Sequence, residues 1–227
     1  MEKLPYQIIN GLMFVQVNGM SCLISTGTPE SMCVCGEVTL DQRRFEVKQH
    51  TLRMSPKMLS EAVNTPLDAV IGADILSRFD YRINPFRSEL LLSTDEIHPY
   101  GYAAHFNLYR SVPIVEICVE ITNLNVYFNT GSILSYMVPE IAQQFPLVGT
   151  TRAFYPGIGW FETPLHRVLI WMSGNDVELD VGIPSPSLLS TLKMTKTNGV
   201  LGCDVFKGPG VFIASRRREV VWFWHDY

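Results

Sequence analysis

The chain is poor in long hydrophobic runs. Nowhere among its 227 residues do about eighteen apolar residues follow one another, so no helix is expected to span a membrane. Positive charge is also scarce. Eighteen lysines and arginines stand against 22 aspartates and glutamates, and the net charge is −4. That balance gives no electrostatic case for nucleic acid or an anionic membrane as partner. The one basic run, Arg216-Arg217-Arg218, is too short for a phosphate-binding surface and reads as a solvated turn between strands. Cysteine is sparse and odd in number: Cys22, Cys33, Cys35, Cys118 and Cys203. Such a set argues against a disulfide framework and for a reducing compartment. Cys33-x-Cys35 has no second ligand pair nearby, so no metal site is expected, and no cofactor motif occurs. Met1 to Tyr6 is not expected to begin a signal peptide, because no continuous apolar stretch follows a basic one. The expected location is the cytoplasm.

What the chain does have is apolar material, 47% of its residues, enough to build a core in one large domain or two small lobes. Val15 and Val17 alternate with Gln16 and Asn18, and Asn18-Gly19 is a tight-turn dipeptide. Met13–Ser25 is therefore expected to form two strands, the second delivering Ser25 to a loop. Glu37 to His50 reads as a hairpin, with Arg43 and Arg44 near its tip. Ser55 and Pro56 signal a helix start, and the helix is expected to reach Val63. Leu67 to Gly72 has the continuous apolar character of a strand buried on both faces. A brief helix over Asp74 to Phe79, capped by Asp74, and a hairpin over Tyr81 to Leu92 follow. Residues 93–110 show no sustained period and read as a linker between a lobe over 1–92 and another over 111–227.

The second lobe opens with Val115, Ile117, Val119 and Ile121 alternating with polar or small residues, a half-buried strand turned by Asn123-Leu124-Asn125. Helical turns are expected over Val138 to Gln144 and from Ser185 through about Leu192. Leu165 to Met172 and Val177 to Val181 read as a hairpin, and Gly199 to Asp204 as a second buried strand. Residues 149–155 match no pattern.

The strongest signal is an internal repeat. Met13–Ser31 aligns without gaps on Ile117–Ser135, and Ala69–Ser93 on Gly199–Phe223. In the second pair, Val70, Gly72, Asp74, Ile83, Arg87 and Glu89 match Val200, Gly202, Asp204, Ile213, Arg217 and Glu219. Repetition at so long a period implies two homologous lobes related by a pseudo-two-fold axis. Each lobe carries a triad after an apolar strand, Ser25-Thr26-Gly27 and Asn129-Thr130-Gly131. Each triad is answered by an apolar-apolar-Gly-x-Asp segment.

This two-part pattern resembles the retropepsin-like and pepsin-like aspartic proteases, whose loop reads Asp-Thr-Gly or Asp-Ser-Gly. The resemblance implies an all-β fold with a few short helices, in two lobes whose triad loops meet at the axis. It implies that Thr26 and Thr130 bond across to the opposite loop and that Gly27 and Gly131 complete the cradle. It also implies flaps over a cleft, here assigned to Arg43 and Arg44 in the first lobe and to Gly157–Phe161 in the second. Trp160 and Phe161 are expected in the cleft wall.

The family's chemistry needs two carboxylates sharing one proton, so that one activates water while the other polarises the scissile carbonyl. Here the matching positions are Ser25 and Asn129. A serine hydroxyl is a poor base and an amide does not titrate. A serine mechanism through Ser25 would need a histidine base. No Gly-x-Ser-x-Gly occurs, and His50, His98, His105, His166 and His225 carry no local signature of that role. The expectation is a catalytically inactive, protease-like module holding an extended peptide or partner protein between its lobes. The alternative is an aspartic endopeptidase whose catalytic pair was replaced in the laboratory. A third reading is a β-rich domain in which the two triads are accidental and lie far apart.

Overall fold

The computed structural model describes residues 1–51, 54–99 and 101–225. Strands make up 49% of it and helices 14%, so the architecture is all-β with a few short helices. Two sheets carry nearly all the strands. The larger runs Ala104–His105, Glu219–Phe223, Gly210–Ala214, Asp80–Asn84, Glu89–Ser93, Glu2–Ile9, Leu12–Val17, Met20–Ile24, Ala69–Ile71 and Met32–Cys33. The second runs Asn107–Tyr109, Val112–Val119, Thr122–Phe128, Gly199–Leu201, Tyr136–Met137, Asn175–Gly182, Gly159–Met172 and Leu147–Tyr155. A separate hairpin pairs Glu37–Leu40 with Arg43–Glu46.

Turn chemistry sets the hairpins. Asn18 and Gly19 both take positive φ, 50° and 80°, the geometry of a two-residue turn that matches strand twist. Asn10-Gly11 repeats it at 51° and 79° and pairs Glu2–Ile9 with Leu12–Val17. That first strand has no counterpart in the sequence reading, although its Asn-Gly dipeptide marks it. In the second half the turn falls at Glu120-Ile121, with Val119 opposite Thr122, and not at Asn123-Leu124-Asn125. Leu124 and Val126 are buried while Ile121 is exposed, so the register that sheathes the apolar face places the turn earlier.

Residues 104–109, within the stretch read as a linker, form two short strands. Ala104–His105 joins Glu219–Phe223, and Asn107–Tyr109 pairs with Val112–Val119. Leu147–Tyr155, which matches no sequence pattern, is a strand antiparallel to Gly159–Met172. The larger sheet draws strands from both halves of the chain, because Gly210–Ala214 pairs with Asp80–Asn84 through Val211, Phe212 and Ile213. Arg216-Arg217-Arg218 lies in the turn after Gly210–Ala214, where Arg217 pairs with Glu96 and Glu219.

The two longer helices begin where their caps say. The Ser55 hydroxyl accepts from the Met58 N–H at the head of Pro56–Val63, and the Ser185 hydroxyl from Leu188 at the head of Pro186–Thr195. The short helix Ala73–Leu76 and the 3₁₀ turn Cys203–Lys207 follow the buried strands Ala69–Ile71 and Gly199–Leu201. No helix among the described residues is long and apolar enough to cross a membrane.

Candidate functional site

Two parallel strand pairs deliver the two triads. Cys22, Leu23 and Ile24 pair with Ala69, Val70 and Ile71, and Val126, Tyr127 and Phe128 pair with Gly199, Val200 and Leu201. Each ladder runs one step further, since Ser25 N–H donates to Ile71 O and Asn129 N–H to Leu201 O, both at 2.9 Å. The chain then breaks from the sheet. Thr28 N–H donates back to Ser25 O at 3.2 Å and Ser132 N–H to Asn129 O at 3.0 Å, closing each loop.

A second pair of contacts locks each loop to the segment behind it. The Ser31 hydroxyl donates to Asp74 Oδ1 at 2.6 Å and accepts from Gly72 N–H at 2.8 Å. The Ser135 hydroxyl donates to Asp204 Oδ1 at 2.6 Å and accepts from Gly202 N–H at 2.9 Å. Asp74 and Asp204 also accept from the backbone N–H of Ser31 and Ser135. The capping role expected for Asp74 is therefore replaced by another: Gly72 precedes the helix without any side-chain cap, and the carboxylate reaches back to the loop. Burial pushes the Asp204 carboxyl above the usual range, while its hydrogen bonds from Ser135 pull the other way.

The two loops meet. Thr26 N–H donates to Thr130 Oγ1 at 3.1 Å, and Thr130 N–H to Thr26 Oγ1 at 3.0 Å. The hydroxyls in turn donate across, Thr26 to Phe128 O and Thr130 to Ile24 O, each at 2.7 Å. Four hydrogen bonds thus tie the loops, every one wholly buried. Gly27 and Gly131 let them approach. A Cβ on Gly27 would lie 2.0 Å from Asn129 Cγ, and one on Gly131 would lie 2.1 Å from Ser25 Oγ.

Ser25 and Asn129 are brought together, with Ser25 Oγ 3.5 Å from Asn129 Oδ1. Asn129 Oδ1 accepts from Gly131 N–H at 2.9 Å, which fixes which end of the amide is oxygen. Two further side chains complete the set. Thr28 Oγ1 lies 2.7 Å from Ser25 Oγ, and Asn129 Nδ2 donates to the Tyr155 hydroxyl at 3.2 Å. The result is a chain of uncharged groups, Thr28, Ser25, Asn129 and Tyr155. Burial pushes the Tyr155 hydroxyl up to about 12, so it is neutral at ordinary pH. Ser25 is 0% exposed and Asn129 2%.

A groove of about 1100 Å³ lies outside this chain, lined among others by Thr28, Met54, Tyr155, Ile158 and Leu188. Thr28 and Tyr155 are its two links to the buried pair. Tyr155 comes from the end of the strand that no sequence pattern marked, and neither its role nor that of Thr28 carries a motif. The only local cue to Tyr155 is the turn Pro156-Gly157 beyond it, Gly157 having φ of 79°.

Of the residues expected around the cleft, Gly157 and Ile158 line the groove, whereas Arg43, Arg44, Trp160 and Phe161 do not. Arg43 and Arg44 project from the Arg43–Glu46 strand into solvent, Arg44 paired with Glu37. Trp160 turns onto the helix Pro56–Val63, its indole N–H donating to Ala62 O at 2.9 Å and its ring 5.4 Å from that of Phe154. Phe161 stacks on Tyr136 at 5.8 Å. Cross-strand pairing explains the division: Phe154 faces Trp160, leaving Tyr155 at the tip, opposite Gly159. Among the described residues no group of three or more histidine, cysteine or acidic side chains is placed to hold a metal.

No protein-family model matches the chain, and no curated protein matches it.

Proposed function

We propose that this protein is a pseudoprotease, a two-lobed relative of the aspartic proteases that binds an extended peptide or partner segment without cutting it. One observation carries the reading. The loops are joined by the reciprocal threonine bonds such a site needs, while the two positions between them hold a hydroxyl and an amide. Neither can take a proton from water, and a missing acid-base group alone removes about 10²–10⁴ of rate. The matched pairing around the loops and the matched Ser–Asp locks support two homologous lobes about a pseudo-two-fold axis.

The groove supports the binding half of the reading. It is open and is lined by Tyr155 and Ile158 from the hairpin tip together with Thr28 and Met54 from the first half. An open groove of about 1100 Å³ has room for an extended segment. Tyr155 and Thr28 close off the buried pair, so a bound segment would contact them before Ser25 or Asn129.

The test is a panel of extended peptides offered to the unaltered protein at neutral and acidic pH. Saturable binding without cleavage is expected, and binding weakened by a bulky substitution at Thr28. Turnover of any peptide by the unaltered protein overturns the proposal. The joint variant Ser25→Asp, Asn129→Asp separates fold from chemistry: acid-dependent cleavage by this variant alone identifies the missing carboxylates as the reason for inactivity.

A further inference from the structure

We propose that Cys33 and Cys35 are a redox-modification site, closing reversibly to a disulfide by exchange with a low-molecular-weight disulfide. The pair lies apart from the Ser25–Asn129 site. Cys33 ends the strand Met32–Cys33, where it pairs with Ala69. The chain then reverses in a four-residue turn, with Gly36 N–H donating to Cys33 O at 3.0 Å and Gly36 at φ of 79°. The turn folds two side chains that an extended strand would hold apart onto one another. Their sulfurs stand 2.9 Å apart. A disulfide needs about 2.05 Å, so the sulfurs have less than about 1 Å left to close.

The two thiols are unequal in a way that assigns their roles. Cys35 is exposed and Cys33 is buried. The hydrogen bond from Cys33 holds the Cys35 thiol below its ordinary range, whereas burial pushes Cys33 up. Cys35 is thus the attacking sulfur. As thiolate it attacks one sulfur of the small disulfide, forming a mixed disulfide and expelling the other half as thiolate. Cys33 then loses its proton and attacks the Cys35 sulfur, expelling the second half. The protein loses two electrons and two protons as two thiols become one disulfide. The small disulfide gains them and leaves as two thiols. The Met20 thioether lies 3.7 Å from both sulfurs, and because only Cys35 of the two is exposed the incoming reagent meets it first.

The experiment equilibrates the full chain with glutathione mixtures from fully reduced to fully oxidised, quenches with acid, alkylates after unfolding and weighs the peptides. Under oxidising mixtures the peptide holding both cysteines is expected to be two hydrogens lighter, unalkylated and free of glutathione, and to regain both thiols on reduction. Cys22, Cys118 and Cys203 remain alkylatable. Cys33→Ser is expected to accumulate a stable glutathione adduct on Cys35, and Cys35→Ser to leave Cys33 unmodified in the folded protein. Circular dichroism verifies that both variants fold. A persistent glutathione adduct on Cys35 in the unaltered protein overturns the proposal. So does retention of both thiols in the fully oxidised mixture, a result that needs no variant.

Discussion

Thr26 and Thr130 are the residues on which the junction of the two loops turns. Each hydroxyl accepts one buried N–H and donates to one buried carbonyl. Thr26→Val keeps the shape and strands both partners, which is expected to cost about 2–4 kcal/mol. Urea unfolding with an unchanged m-value measures it. The double variant Thr26→Val, Thr130→Val is expected to cost less than the sum, because the two hydroxyls belong to one network. Tyr155 makes a pH-dependent prediction. Its phenol has the ordinary value of 10.0 when unfolded and is pushed up to about 12 in the fold. Its contribution is whole below pH 10.0 and is lost as pH rises through 12. The stability difference between the unaltered protein and Tyr155→Phe should therefore shrink across that window. A difference that stays flat would mean that burial does not hold the hydroxyl in its neutral form.

At the scale of elements, the hairpin Leu147–Tyr155 and Gly159–Met172 acts as a strap from the second half over the first. Phe154 is buried among Leu12, Phe14, Leu59 and Val63, and Trp160 bonds the end of the helix Pro56–Val63. Phe154→Ala is expected to destabilise by about 3–5 kcal/mol, the range for a buried aromatic. Trp160 is 43% exposed and keeps one backbone bond, so Trp160→Ala is expected to lose only about 1–2 kcal/mol. Its distinguishing effect is local. Amide exchange over residues 150–160 should accelerate while exchange in Leu12–Val17 stays slow. Uniform acceleration would show that the strap does not open by itself.

For the whole molecule, the larger sheet predicts how it unfolds. Strands from both halves share it, meeting where Gly210–Ala214 pairs with Asp80–Asn84, and one apolar cluster contains Tyr81 and Ile83 beside Val211, Ile213 and Phe106. The two halves are expected to melt in one transition. All four tryptophans, Trp160, Trp171, Trp222 and Trp224, lie in the second half. Because Trp160 rests on the first-half helix, tryptophan fluorescence of the Trp160→Phe variant reports the second half, whereas far-ultraviolet circular dichroism reports both. Coincident midpoints are expected. A circular dichroism transition without a fluorescence counterpart would mean that the first half melts alone.

Local pattern in the chain determined its strand-rich class, the caps at Ser55 and Ser185, the turn at Asn18-Gly19 and the buried strands before Gly72 and Gly202. Each depends on near neighbours alone: a period of two, a cap with its proline, a dipeptide free to take positive φ, an unbroken apolar run. The repeat singled out Ser25 and Asn129 because a recurring motif is visible without coordinates. Only the tertiary structure decided what surrounds them. Thr28 and Tyr155 cover the pair, Trp160 leaves the cleft for a helix, and Asp74 binds Ser31 instead of capping. These outcomes depend on contacts between residues far apart in the chain. The turn after Val119 shows the same limit at close range, since two-residue shifts preserve alternation and only packing of the buried face selects among them.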